Sequence, residues 1–113
     1  MDRKTYKKAI EDKMNYGSAK WKKKREHILK LDNYRCQISQ RYGKLVPAVV
    51  VHHIYPAEEY PAYAWEDWNL ISVSKEVHNQ LENRQTGELT EDGKKLQRET
   101  RPGENWREKK WKT

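Results

Sequence analysis

Four side chains in this sequence have the chemistry to bind a metal ion and to act on water: His52, His53, Asn69 and His78. Imidazole is a common ligand of divalent transition metals, and a metal with open positions can stabilise charge on a phosphate. Side chains alternate along a strand, so the adjacent His52 and His53 are expected to point to opposite sides. One of them can then bind a metal while the other contacts a water molecule.

The elements around these residues follow the order strand, loop, strand, helix. A β-branched run over residues 46–54 predicts the first strand, and residues 70–73 predict a second one after an irregular loop. Ser74 is a good N-cap for a helix over about residues 75–84. His78 lies one turn into that helix, where it can face back across the hairpin toward the histidine pair.

A basic arm precedes this region. Tyr6, Ile10 and Met14 recur at intervals of four residues, which gives one apolar stripe on a charged segment and predicts a helical arm over residues 1–17. Ser18 is suited to cap the next helix, which we expect to end near residue 32.

The length of 113 residues allows one domain with a modest core, which we place at residues 18–99. Its last helix is predicted to begin after Thr90 and to run to about residue 98. The segment from Pro102 onward is polar and basic, so residues 100–113 are expected to form a flexible tail.

The charge is unevenly distributed. Residues 1–30 hold eleven Lys and Arg against four Asp and Glu, residues 31–99 hold eight against eleven, and residues 100–113 hold five against two. Basic ends around an acidic centre suit a nucleic-acid enzyme, although such ends also keep a small protein in solution. The candidates for phosphate contacts lie in the helix after Ser18: Lys20, Lys22, Lys23, Lys24 and Arg25.

Cys36 is the only cysteine, which excludes an intramolecular disulfide and favours a reducing compartment. The N-terminal residues include no apolar signal region, and the longest aliphatic stretch, over residues 46–51, is far too short to span a bilayer. We therefore expect a cytoplasmic protein that does not interact with membranes.

Three motifs resemble the HNH signature of the ββα-metal nucleases: VHHIYP at 51–56, NL at 69–70 and VHN at 77–79. In that family a helix histidine follows nine residues after the asparagine, and the spacing from Asn69 to His78 matches. Within that family, the sequence most resembles the small HNH proteins of bacteriophages and prophages. The resemblance implies an α+β fold with a ββα-metal hairpin-plus-helix core, flanking α-helices and a basic, disordered C-terminal tail.

The resemblance also implies roles for individual residues. His52 would be the first metal ligand, His53 the general base and His78 the second ligand, while Asn69 would orient the loop or the base. Some relatives have a third histidine four residues after the helix histidine, and Glu82 occupies that place here. A carboxylate suits Mg²⁺ or Mn²⁺, but an ordinary surface glutamate explains Glu82 equally well.

Many relatives also hold a structural zinc ion through two Cys-x-x-Cys pairs. At the corresponding positions this chain has Cys36 and Ser39, and then Ser74 and Val77. Because one of four ligands is present, no structural zinc is expected.

The function implied by the resemblance is metal-dependent hydrolysis of DNA phosphodiester bonds with one divalent ion: Mg²⁺, Mn²⁺, Ni²⁺ or Zn²⁺. Similar phage proteins further imply a link to terminase and DNA packaging, by analogy alone. Two alternatives stay open: a catalytically silent DNA-binding or phage-assembly module with the same fold, and a zinc-binding interaction module that uses Cys36 with the histidines. The spacing of Cys36 is poor for the second alternative.

Overall fold

A computed structural model describes residues 15–108, so most of the helical arm predicted over residues 1–17 lies outside the described residues. The described part is an α+β fold with a two-stranded antiparallel sheet. Its elements are α1 (Ala19–Leu31), α2 (Gln37–Arg41), β1 (Val50–His53), β2 (Leu70–Val73), α3 (Lys75–Leu81) and α4 (Glu91–Glu99), with 3-10 turns at Pro61–Tyr63, Asp67–Asn69 and Trp106–Glu108. The predicted order of strand, loop, strand and helix is confirmed. None of the helices within residues 15–108 is long and apolar enough to cross a bilayer.

The hairpin fixes the position of the histidine pair. β1 pairs with β2 so that His52 lies opposite Ile71 and His53 opposite Leu70. The first strand is shorter than the predicted 46–54 because Pro47 has no backbone N–H, and it makes only an isolated bridge with Arg35. All four residues of β2 are buried, so the hairpin is covered on both faces.

The helix starts follow the sequence closely. The hydroxyl oxygens of Ser18, Ser74 and Thr90 each accept a hydrogen bond at 3.1 Å from the backbone N–H three residues later. The predicted N-caps of α1, α3 and α4 are therefore confirmed. α3 ends at Leu81, short of the predicted residue 84, because Glu82 is extended and forms an isolated bridge with Leu89.

Helices cover the hairpin from two sides. From α1, the side chains of Trp21, Ile28 and Leu29 are buried against β1 and β2. α4 packs on α3 at Gly93, where an added Cβ would lie 2.1 Å from the carbonyl oxygen of Leu81. A glycine is required there because the two backbones approach so closely.

The segment after α4 differs from the sequence expectation. A flexible tail was predicted over residues 100–113; residues 100–108 are described and bury Thr100 and Trp106, and residues 109–113 lie outside the described part. The indole of Trp106 is buried and donates a hydrogen bond to the carbonyl oxygen of Trp68 at 2.8 Å. The guanidinium of Arg107 forms an ion pair with the buried Asp32 carboxylate at 2.7 Å.

Cys36 is fully buried in the core between α2 and β2. Burial raises the pKa of its thiol, but hydrogen bonds with Ser39 and Ser74 outweigh this effect and leave the pKa below its usual value. Val77 packs against the same cluster. The four positions that correspond to the zinc ligands of relatives therefore lie around one part of the core.

Replacing Cys36 with serine is expected to leave the protein folded, with a loss of about 1 kcal/mol in the free energy of unfolding. The reason is that a hydroxyl can hydrogen-bond to Ser39 and Ser74, and that no structural zinc is expected at these four positions. Thermal denaturation and elemental analysis of both proteins check this. Stoichiometric zinc in the parent protein that disappears in Cys36→Ser would contradict it.

Candidate metal centre

The two predicted metal-ligating histidines meet at one end of the hairpin. The ring centroids of His52 and His78 are 5.3 Å apart, with an angle of 65° between the ring planes. His52 is the third residue of β1, and His78 lies one turn into α3, which begins directly after β2. The cap at Ser74 starts the helix at the point that turns His78 back toward the strand.

Glu82 joins the histidines. One ligand atom each from His52, His78 and Glu82 lie within 4.8 Å of one another. Nε2 of His78 is 3.5 Å from Oε2 of Glu82, which follows it by one helical turn. Two imidazole nitrogens and one carboxylate oxygen form a set that can bind a divalent transition metal and leave positions open to water or substrate.

The environment of His52 fits a metal ligand. Its ring is 1% exposed, and neither ring nitrogen has a hydrogen-bond partner among residues 15–108. Burial lowers its pKa to about 3, the nearby Glu82 carboxylate opposes this, and His78 adds to it. His52 is therefore neutral at physiological pH with a lone pair available, and a bound cation would satisfy a buried polar atom that the protein leaves unpaired.

His53 is held differently. Its Nε2 is 3.0 Å from the carbonyl oxygen of Ala64. A carbonyl only accepts, so Nε2 carries the proton in the neutral ring and Nδ1 keeps a free lone pair. Burial lowers the pKa of His53, while the Ala64 carbonyl and Glu82 partly offset this. Trp21 stacks on the ring, with centroids 5.5 Å apart and planes 15° apart.

The histidines border one cavity of about 230 Å³. His52 contacts His78 and His53 contacts Trp21, as expected of neighbours that alternate along a strand. Both rings nevertheless line the same cavity, together with Glu82. A water molecule or phosphate in the cavity can therefore reach the metal-ligand set and the second histidine at once.

Asn69 fixes the loop between the strands. Its side chain is fully buried, and its Oδ1 accepts a hydrogen bond from the backbone N–H of Tyr55 at 2.7 Å. Its Nδ2 donates to the carbonyl oxygens of Tyr55 and Tyr63, each at 3.0 Å. Ala64 follows Tyr63, so the amide also steadies the carbonyl that orients His53.

Comparison with known proteins decides the family. No protein-family model matches the chain, and no curated protein matches it. Among solved structures, it is similar to the HNH endonuclease of the deep-sea thermophilic bacteriophage GVE2, crystallised with a manganese ion. The identity is 30%, the TM-score is 0.60, and the match covers 70% of this chain and 88% of the phage enzyme. The chain belongs to the HNH endonuclease family. The family predicted from the three motifs is thus confirmed, together with the ββα fold.

The basic residues of this HNH protein that were predicted to contact phosphate differ in their exposure and in their contacts within the protein. Four of the five candidates on α1 are exposed: Lys20, Lys22, Lys23 and Arg25. Lys24 is half-buried and forms an ion pair with Asp67, and Nζ of Lys20 lies 4.4 Å from the centre of the Trp65 ring. Burial would raise the pKa of Asp67, but its hydrogen bonds with Lys24 and His27 lower it. Lys24 thus has an internal partner.

Three residues of the HNH site could not be identified from the sequence. Trp21 stacks on the His53 ring, Ala64 contributes a backbone oxygen, and Glu58 lies buried in the cavity wall. Two adjacent acidic residues, Glu58 and Glu59, are a signal in the sequence, but only Glu58 is buried and Glu59 is exposed. The conformation of the loop decides which of the two glutamates faces the cavity, and hydrophobic periodicity does not predict the conformation of an irregular loop.

Proposed function

We propose that the protein is a metal-dependent endonuclease that hydrolyses phosphodiester bonds in DNA. The main support is the convergence of His52, His78 and Glu82 within 4.8 Å beside His53, whose Nδ1 is left free to accept a proton. The similarity to a phage HNH endonuclease with manganese is a second, independent support.

In this proposal His52 and His78 bind the metal through imidazole nitrogens, and Glu82 supplies a carboxylate oxygen. The bound ion supplies Lewis-acid stabilisation of the charge that develops on the phosphate and on the leaving 3′ oxygen. Its identity is not fixed by the ligands, because imidazole suits Zn²⁺ and Ni²⁺ whereas carboxylate suits Mg²⁺ and Mn²⁺.

His53 acts as the general base. Its Nδ1 removes a proton from a water molecule in the cavity, the water oxygen bonds to phosphorus, and the bond from phosphorus to the 3′ oxygen breaks. The hydrogen bond from Nε2–H to the Ala64 carbonyl keeps the ring in the required tautomer and stabilises the imidazolium that forms. Asn69 is a positioning residue, because it ties down the loop that carries this carbonyl.

A plasmid-nicking assay tests the proposal. Protein stripped with EDTA is expected to be inactive, and Mn²⁺, Mg²⁺, Ni²⁺ or Zn²⁺ is added back separately; at least one of them should convert supercoiled plasmid to the open-circular form. DNA binding without nicking in every metal would instead support a catalytically silent DNA-binding module. The predicted cytoplasmic location and the predicted link to terminase and packaging stay predictions.

Replacing Lys22 and Lys23 together with glutamine is expected to reduce the salt dependence of DNA binding. Each phosphate contact contributes about 0.9 to the slope of log K against log salt concentration on duplex DNA, so the double variant should lose about 1 to 2 of that slope. Fluorescence anisotropy at several salt concentrations measures it.

Lys24→Gln is the matched control. It removes one positive charge from the same helix, but Lys24 is paired with Asp67, so its slope should change by less than half as much as that of the double variant. An unchanged slope in Lys22→Gln/Lys23→Gln would show that this face of α1 does not contact DNA.

A further inference from the structure

The outer edge of β2 is occupied by an ion pair. Backbone groups of alternate residues in a strand face alternate sides, and those of Leu70 and Ser72 on the side away from β1 need other partners. The N–H of Ser72 donates to Oδ2 of Asp32 at 3.1 Å, and the carbonyl oxygen of Leu70 accepts from Nη2 of Arg107 at 2.5 Å. Asp32 and Arg107 thus stand where a third strand would pair.

The same C-terminal segment holds the turn that precedes β2. Nη1 of Arg107 donates to the carbonyl oxygen of Asp67 at 2.7 Å, and the indole of Trp106 donates to that of Trp68 at 2.8 Å. With the bond to residue 70, three donors fix the backbone on both sides of Asn69. We name residues 106 and 107 the clamp.

Two short series of hydrogen bonds connect the backbone held by the clamp to the proposed general base, His53. The first passes through the side chain of Asn69 to Tyr63 and on to the Ala64 carbonyl, which orients His53. The second passes across the hairpin, because the carbonyl oxygen of Asn69 accepts from the N–H of Ile54, the residue after His53, at 2.9 Å.

We propose that Arg107 is a positioning residue for hydrolysis, which holds the Asn69 turn and β2 so that His53 keeps its tautomer and its place in the cavity. This role presupposes the nuclease activity proposed above. Arg107 touches neither the cavity nor the metal-ligand set, and its side chain is 14% exposed.

The contacts are specific to a guanidinium. Nε and Nη2 bind the two Asp32 oxygens at 2.7 and 3.0 Å, while Nη1 and Nη2 also reach two carbonyl oxygens. Lysine carries the same charge on a single nitrogen, so it can keep the ion pair with Asp32 but cannot hold both carbonyls in the same geometry. Arg107→Lys therefore separates positioning from charge pairing.

The experiment compares Arg107→Lys with Arg101→Lys, a matched control at an exposed position of the same segment. Single-turnover nicking with Mn²⁺ is measured at a temperature where all proteins are folded by circular dichroism. Arg107→Lys is expected to reduce the rate constant about 10- to 100-fold, since small misplacements of a catalytic group carry such costs. The KM for DNA and the Kd for Mn²⁺ should stay within about twofold of the parent, because the ligands are untouched.

Nitrogen-15 shifts of the His53 ring, and amide exchange at Tyr55 relative to the amides of α4, give a readout that a purely stabilising clamp would not change, because a general loss of stability speeds exchange at both places. In Arg107→Lys the fraction of ring with the proton on Nε2 should fall, and the Tyr55 amide, which donates to Asn69, should exchange faster. An unchanged rate constant, or an unchanged His53 tautomer in a folded variant, overturns the proposal.

If Arg107→Lys does not fold, Trp106→Phe takes its place, because it keeps an aromatic ring in the core and removes only the donor to Trp68. It should change the same two signals by smaller amounts, and no change in either overturns the proposal. The ring shifts and amide exchange need no substrate. If the parent protein never nicks DNA, the proposed function is wrong. The ring shifts and the amide exchange would still show whether the clamp positions His53.

Discussion

Replacing His53 with alanine is expected to abolish DNA nicking while Mn²⁺ binding survives. His52 and His78 keep their contact with Glu82, so the ligand set is unchanged, but the acceptor for the water proton is lost. Removal of a general base costs on the order of 10² to 10⁴ in rate. Nicking assays at saturating Mn²⁺ and calorimetric titration of Mn²⁺ measure the two effects separately.

His27→Ala is the matched control, because His27 is exposed on α1 and its ring contacts Asp67, away from the ligand set. It should nick DNA at about the parent rate. A His53→Ala protein that binds Mn²⁺ weakly and regains activity in excess Mn²⁺ would reverse the roles assigned to the two adjacent histidines.

Local rules predicted most of the hairpin and its helix. The β-branched run, the N-cap at Ser74 and the spacing from Asn69 to His78 each depend on neighbours in the sequence, and the structure keeps them. The convergence of His52 and His78 follows from this order, because a helix that begins directly after the second strand returns its first turn to the hairpin. Glu82 follows by one more helical turn.

Partners distant in the sequence could not be predicted. Residues 100–108 have the polar, basic composition of a flexible tail. Nevertheless, Trp106 hydrogen-bonds to the backbone of Trp68, and Arg107 forms an ion pair with Asp32, 75 positions away in the sequence. One buried indole and one buried ion pair order a segment whose average composition indicates disorder. Such pairs form only in the tertiary structure. Neither the hydrophobic periodicity nor the local charge of the sequence predicts them.

Partners distant in the sequence also explain why the five basic residues predicted on α1 to contact DNA are not equivalent in the structure. The run of basic residues predicted five equivalent phosphate contacts, but the sequence does not indicate that Asp67, 43 positions after Lys24, meets that lysine. A count of charges therefore overstates the cations available to a polyanion. The two residues chosen for the salt experiment, Lys22 and Lys23, are among the four candidates that the fold leaves exposed.

Replacing His52 with alanine is expected to weaken Mn²⁺ binding by at least about 100-fold, because even partners outside the first coordination sphere change metal affinity 10- to 100-fold. The buried ring has no other polar partner among residues 15–108, so binding loses a preformed neutral donor. At low Mn²⁺ concentration the variant should not nick DNA. Calorimetric titration, with nicking measured across a range of Mn²⁺ concentrations, checks both statements.

Excess metal separates this variant from His53→Ala. Mass action can fill a site that has kept His78 and Glu82, so His52→Ala should recover part of its activity as Mn²⁺ rises, whereas no metal concentration restores the missing base in His53→Ala. Glu82→Gln keeps the size of the side chain and removes its charge, so it should weaken Mn²⁺ binding in the same direction. Full Mn²⁺ affinity in His52→Ala would show that the ion binds elsewhere, and the convergence of the two histidines and Glu82 would then need another explanation.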